Sequence, residues 1–152
     1  MLVTALLLLT AYTVYYLSSV QRKAVFKQRL SGRAHNASQL FSILGDSSQS
    51  LLQRIDRSNA RFFTSKSIHI FSEDYKRLYV FNTDATDDFY LPQSRLNEIK
   101  EKKELSFTIG NRDAFAQVHK DSRQRYIIVV AAFDSDGRLW LNQLQKILFA
   151  SL

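Results

Sequence analysis

The side chains able to do chemistry here are few and widely spaced. Asp84, Asp87 and Asp88 fall in one acidic stretch, and Asp134 and Asp136 follow the last apolar run. Paired carboxylates of this kind serve acid–base work or hold a cation when a rigid frame brings them into a cleft. The acidic stretch lacks the glycine and the closing glutamate of a known calcium loop, so solvated turn residues are the expectation for both groups. His69 and His119 lie in strand-like segments and could meet as metal ligands, but no third ligand accompanies them. Half-exposed strand histidines are therefore expected. No spacing offers a hydroxyl nucleophile with a base and an orienting acid. The chain has no cysteine, which excludes disulfides, thiolate metal sites and a thiol nucleophile. Its four glycines, Gly32, Gly45, Gly110 and Gly137, are isolated, so no glycine-rich loop can cradle a phosphate. No catalytic, cofactor-binding or metal site is assigned.

The elements that would position any site begin with an apolar run. The 152-residue chain has room for one ordinary domain and a short appendage. Residues 2–17, LVTALLLLTAYTVYYL, are apolar on every helical face, and no charged side chain precedes Arg22. As a helix this core covers about 24 Å, and the uncharged stretch to Gln21 about 31 Å, against a hydrocarbon layer of about 30 Å. Tyr12, Tyr15 and Tyr16 gather just before the charges, as interfacial aromatics do. A cleaved signal would need basic residues ahead of the run and a small-x-small site after it. Only Met1 precedes Leu2, and SSVQ is a poor site. A buried core helix would have to be enclosed by the rest of a small domain. An uncleaved transmembrane helix over residues 1–20 is the expectation.

Net charge is +7, and its distribution follows that anchor. Residues 20–66 hold nine Lys and Arg against two acids, residues 67–91 two against five, and residues 92–152 ten against seven. The excess sits beside the apolar run, where basic stems reach lipid phosphates, so membrane lipid and not nucleic acid is the expected anionic partner. All nearby basic residues lie on the carboxyl side, which by charge alone would put the body of the chain in the cytoplasm.

Helical spacing continues beyond the run. Leu30, Ala34, Ala37, Phe41 and Leu44 recur at intervals of four and three, giving a long helix over residues 21–44 that Gly45 stops. This seam either joins two chains as a coiled coil or packs on the domain's own sheet. Asp46, Ser47 and Ser48 then start a short helix, SQSLLQRIDRSN. From residue 67 the period changes to two. SIHIFSEDYKRLYVFNT reads as a hairpin turning at residues 73–76, DATDDFYLP as an acidic loop, and Pro92 opens a helix. ELSFTI, AFAQVHK and RYIIVVAAF supply three more strands, with turns at residues 110–113 and 121–124. Unbroken apolarity from Tyr126 to Phe133 means that the last strand is covered on both faces and central. Residues 134–137 close the sheet, and residues 139–152 resume helical period with an uncharged end, the expected start of a second, truncated span.

The fold expected is α+β: a five-stranded antiparallel sheet over residues 67–133 with helices on one side, in a domain over residues 21–138. A long first helix leading into such a sheet is the plan of PAS-like sensor domains. A candidate ligand pocket would lie on the sheet face away from the long helix, at Tyr79, Phe107, Phe115 and Arg125.

The apolar run leading into VFKQRLSGRAHNASQLF, then LLQRIDRSN, SIHIFSEDYKRLYVFNTD, LPQSRLNEIKEKKELSFTIGNRD and RYIIVVAAFDSDGRLWLNQLQKIL, resembles the amino-terminal part of Bacteroidetes-type transmembrane sensor histidine kinases. The resemblance implies an extracytoplasmic sensor region in the bacterial inner membrane, a homodimer, and an unidentified extracytoplasmic ligand. ATP, Mg and a response regulator would belong to a kinase core that this chain lacks. His35, in GRAHNAS, has neither the acidic neighbour nor the following residues of a phospho-acceptor. Family members carry basic residues ahead of the first span, which would reverse the charge-based orientation, so the true start is expected upstream. The alternative is a single-span anchored binding or assembly protein without a kinase.

Overall fold

The computed structural model describes residues 2–45, 49–58, 64–122 and 124–150. Asp46, Ser47 and Ser48, the end of the short helix at Asn59, and Arg123 lie outside the described residues. Helix α1 runs Leu2–Leu44 and α2 Gln49–Ser58. Strands β1 (Thr64–Ser72) and β2 (Arg77–Asn82) are followed by a 3-10 turn at Ala85–Asp87 and α3 (Gln93–Lys102). Strands β3 (Glu104–Ile109), β4 (Arg112–Lys120) and β5 (Arg125–Phe133) lead into α4 (Ser135–Ala150).

Local chemistry explains the boundaries. Gly45 takes φ +60°, and its N–H bonds the Phe41 carbonyl at 2.9 Å, the left-handed stop expected after α1. The β1–β2 turn closes through Ser72, whose N–H bonds the Lys76 carbonyl at 2.8 Å. The β3–β4 loop is shorter than its sequence suggests. Arg112 pairs with Ile109 and Asp113 with Thr108, leaving Gly110 and Asn111 as a two-residue loop whose first position needs the positive φ that Gly110 adopts. Residues 134–137 also differ from a plain turn. Asp134 precedes the first turn of α4, and its carboxylate accepts the Gly137 N–H at 3.0 Å, so Gly137 is already helical.

The sheet is antiparallel with order β2-β1-β5-β4-β3. The central place of β5 follows from its composition, since Ile127 to Ala132 are each no more than 2% exposed. Helices cover both faces, not one. On the first face, Leu30, Ala34, Ala37 and Phe41 of α1 are buried, and the Phe41 ring meets Tyr79 at 6.5 Å and Tyr126 edge-on at 5.2 Å. Within the chain, these four of the five seam residues are buried, and Phe41 packs on the sheet. On the second face, Phe89, Leu91, Leu96 and Ile99 pack against Phe71, Ala114, Ala116, Ile127, Val129 and Ala131. The one-sided expectation failed because α3 is short and polar apart from Leu96 and Ile99, which nonetheless suffice with Phe89 and Leu91 from the preceding loop.

The chain divides into two compact units, Lys27–Phe133 holding the sheet, and Met1–Phe26 with Asp134–Leu152 holding the first part of α1 and all of α4. In the second of these, Leu2, Val3, Leu6 to Leu9, Tyr12 and Leu17 are exposed. Thr10 and Thr13 donate their hydroxyls to the carbonyls of Leu6 and Leu9 within the helix, at 2.7 and 2.8 Å. α1 is long and apolar enough to cross a membrane.

Ile128→Ala should cost about 2–5 kcal/mol of unfolding free energy, because Ile128 is fully enclosed at the sheet's centre. Ile43→Ala, at a position 79% exposed, should change it by less than about 0.5 kcal/mol. Urea unfolding of the full chain in detergent, followed by tyrosine near-UV dichroism, checks both.

Candidate functional site

Strand parity separates the four residues marked as a pocket. Tyr79 pairs with Ile70, and Phe115 with Val130, so both point toward the α1 face. Phe107 pairs with Ala114 and Arg125 with Lys120, on the α3 face. Phe107 lies under the Arg95 guanidinium at 5.4 Å, and Arg125 is half exposed with Glu73 3.9 Å away. No single pocket gathers the four.

A cavity of about 300 Å³ lies on the α1 face instead, between α1, α2 and the β1–β2 hairpin. Its polar floor consists of two residues, Asp56 and Tyr79. Asp56 sits on the same stripe of α2 as Leu52, one helical turn apart, and is carried inward with it. Lys66 alternates in phase with Ile68 and Ile70 and is likewise drawn inside, to 0% exposure. The Lys66 ammonium donates to the Asp56 carboxylate and to its backbone carbonyl, each at 3.2 Å, and lies 4.8 Å over the Phe81 ring. The Tyr79 hydroxyl donates to the other carboxylate oxygen at 2.9 Å. Burial lowers the Lys66 pKa, partly offset by Asp56, and raises that of Tyr79. Sequence reasoning passed over Asp56 and Lys66. The signal was there, in one charge on the apolar stripe of a short helix and another in phase with two isoleucines.

The α3 face carries a second polar cluster. His69 is fully buried and stacks on Phe89, with ring centroids 3.9 Å apart. Its Nε2 lies 3.2 Å from Asp88 Oδ1 and 3.4 Å from Asn82 Oδ1, and Asp88 also pairs with Arg77 at 3.3 Å. The Nδ1 atom has no hydrogen-bond partner. Burial lowers the His69 pKa, with Asn82 and Asp88 opposing. A cavity of about 400 Å³ opens nearby, lined by Phe71, Tyr75, Arg77, Phe89, Tyr90 and Leu96 among others. His119 pairs with Tyr126 on the opposite face, so the two histidines cannot share a metal. Among the described residues no cluster of three His, Cys, Asp or Glu is placed to hold a metal ion.

Not all the turn aspartates are solvated. Asp87 is 8% exposed; its carbonyl accepts the Ser67 hydroxyl at 2.7 Å, and Arg112 bonds the same hydroxyl at 2.8 Å while lying 3.9 Å from the Asp87 carboxylate. These bonds tie the acidic loop to β1 and β4. Asp134 is buried as well, pairing with Arg22 at 3.3 Å in the helical unit. A Cβ on Gly137 would fall 2.3 Å from that carboxylate and 2.7 Å from Arg22 Cδ, so a larger residue there would have to displace the Asp134 or Arg22 side chain. Further along the same unit, α1 and α4 line an open, largely apolar groove of about 260 Å³ among Leu8, Tyr12, Tyr15, Gln145, Leu148 and Phe149. Tyr12 and Tyr16 stack at 6.3 Å.

No family model and no curated protein matches the chain. Among solved structures, an extracellular ligand binding receptor from Desulfohalobium retbaense DSM5692 overlaps it with a TM-score of 0.32 and 9% identity, over 44% of this chain and 12% of the receptor. The chain thus spans a small fraction of that receptor's length, and the likeness is distant.

Lys66→Met should destabilise the fold by about 3–5 kcal/mol, because it strands the Asp56 charge; adding Asp56→Leu should recover most of that loss. A double-mutant cycle by urea unfolding measures both. His69 provides a pH test. Its folded pKa lies below the ordinary 6.5, so its contribution is complete above that value and lost as pH falls through the lower folded one. The melting temperature should fall between about pH 7 and about pH 5, and His69→Asn should flatten that slope.

Proposed function

We propose that this chain is the sensing and membrane-anchoring part of a transmembrane receptor of the two-component histidine-kinase type, with its sheet unit outside the cytoplasmic membrane. One observation carries the reading. In chain order α1 precedes the strands and α4 follows β5, and the first part of α1 and the whole of α4 share a unit of their own, in which Arg22 meets Asp134. A sheet unit that lies in chain order between these two helices, the first of them able to cross a membrane, suits conversion of a binding event into a change in helix packing. The kinase assignment rests on the sequence resemblance. It places the phospho-acceptor histidine, the ATP and Mg site and the contact with a response regulator in further domains, and the signalling unit is a homodimer.

Alkaline phosphatase inserted in the sheet unit at Ser122 should be active in bacterial cells, and a fluorescent protein there dark; the opposite pattern overturns the orientation. A chimera of residues 1–152 with a complete kinase core should autophosphorylate in a stimulus-dependent way, whereas the chain alone should turn over no ATP.

A further inference from the structure

We propose that His69 is an acid-operated latch: the loop of residues 84–91 lies closed on the α3 face while the ring is neutral, and lifts from the sheet when Nδ1 takes a proton. Its use as a signal rests on the sensing role; the latch itself does not.

The hydrogen bonds fix where that proton must enter. Asp88 Oδ1 lies 3.2 Å from Nε2 and Asn82 Oδ1 3.4 Å, and an ionised carboxylate only accepts, so Nε2 carries the ring hydrogen. Nδ1 is then a bare acceptor on a side chain that is 0% exposed, with no hydrogen-bond partner among the described residues. A second proton has only Nδ1 to go to. The N–H it makes would be buried with nothing to receive it, a cost that the same group does not meet in water.

The charges around the ring do not offset that cost. Asp88 faces it from the acidic loop, but Arg77 of β2 and Arg112 of β4 face it as cations, and Asp88 is shared with Arg77 at 3.3 Å. Asp87, the next acid of the loop, lies 3.9 Å from Arg112. β5 and α3 enter this core through Val129, Leu96 and Ile99, which carry no charge, and β1 itself adds the Phe71 ring at 6.1 Å.

The loop is the part that can yield. His69 is paired with Val80 and Val129 on the two flanking strands, so the ring cannot withdraw without breaking the sheet. It holds two successive loop residues, Asp88 through Nε2 and Phe89 by stacking at 3.9 Å. Lifting Phe89 and Leu91 would admit water to Nδ1 and reshape the cavity of about 400 Å³ that both residues line. The closed ring binds a proton more weakly than a ring in water, whose pKa is the ordinary 6.5, so acid favours the open loop. One coupled proton multiplies the open population by up to about ten for each pH unit below that value.

The chain has no cysteine, so a single introduced thiol reports on one place. Leu91→Cys puts it under the loop and Val129→Cys puts it in β5. Each full chain, in detergent micelles, is labelled with 4,4′-dithiodipyridine between about pH 7.5 and about pH 5, and each rate is divided by that of a free thiol at the same pH. Labelling at Leu91→Cys should rise about ten-fold in acid, while Val129→Cys stays unreactive. Adding His69→Gln, which keeps a neutral donor toward Asp88, should remove the rise, and adding His119→Gln should preserve it. No rise, a rise that survives His69→Gln, or an equal rise at Val129→Cys overturns the proposal. Where His69→Gln fails to fold, the His69 Cε1–H resonance decides: labelling that follows the ring titration supports the latch, and a ring that titrates while labelling stays slow sinks it. A kinase chimera indifferent to acid, with a loop that still opens, would leave the latch standing and sink its use as a signal. A chimera regulated by another stimulus, with the loop closed at every pH, would leave the sensing role standing and sink the latch.

Discussion

β5 sets the terms for the rest of the fold. Six successive residues, Ile127 to Ala132, are shut away from water, which a strand achieves only when both sheet faces are covered and both edges paired. β1 and β4 supply the edges. The faces need two separate covers, and the sequence supplies them from distant places: α1 ahead of the sheet, and the acidic loop with α3 between the second and third strands. Small residues at the interfaces make this possible. Ala34 and Ala37 on α1, and Ala114, Ala116 and Ala131 on the sheet, are buried where larger side chains would hold the layers apart.

The polar interior is divided in the same way. On the α1 face, Lys66, Asp56 and Tyr79 connect β1, α2 and β2; on the α3 face, Arg112, Ser67 and Asp87 connect β4, β1 and the acidic loop. A buried ion pair gives little net stability compared with an apolar replacement, but it tolerates few alternative arrangements. Each cluster binds a short segment, α2 or the acidic loop, to neighbouring strands. The short helix α2 has only Leu52 fully buried among its apolar residues, so the Asp56 contacts do much to fix where it lies.

Strands and helices were legible because their periods differ. The change from intervals of three and four to intervals of two near residue 67 marked the end of the helical segments, and the unbroken run from Tyr126 marked the centre of the sheet. Which side chains meet across strands was less accessible. The two-residue loop at Gly110 pairs Phe107 with Ala114, so Phe115, one residue on, faces the other way. A pocket containing both was geometrically closed off once that register was set. The cavity floor was missed for another reason, since Lys66 and Asp56 look like surface charges until each is placed in phase with its apolar neighbours. Asp134 and Gly137 read equally well as a turn or as a capped helix start, and the approach of Arg22, far away in sequence, accompanies the capped arrangement.

α1 contributes residues to both compact units. A ligand shifts an equilibrium only by the difference in its affinity for the two states, so it must touch something that moves. In the sheet unit the buried core offers little freedom, because β5 is packed on every side. The cavity under α1 is different, being lined on one side by the helix and on the other by α2 and the edge hairpin. In the helical unit the first part of α1 carries Arg22. There the partner is Asp134, the residue that follows β5 and caps α4, held against a glycine that leaves no spare room.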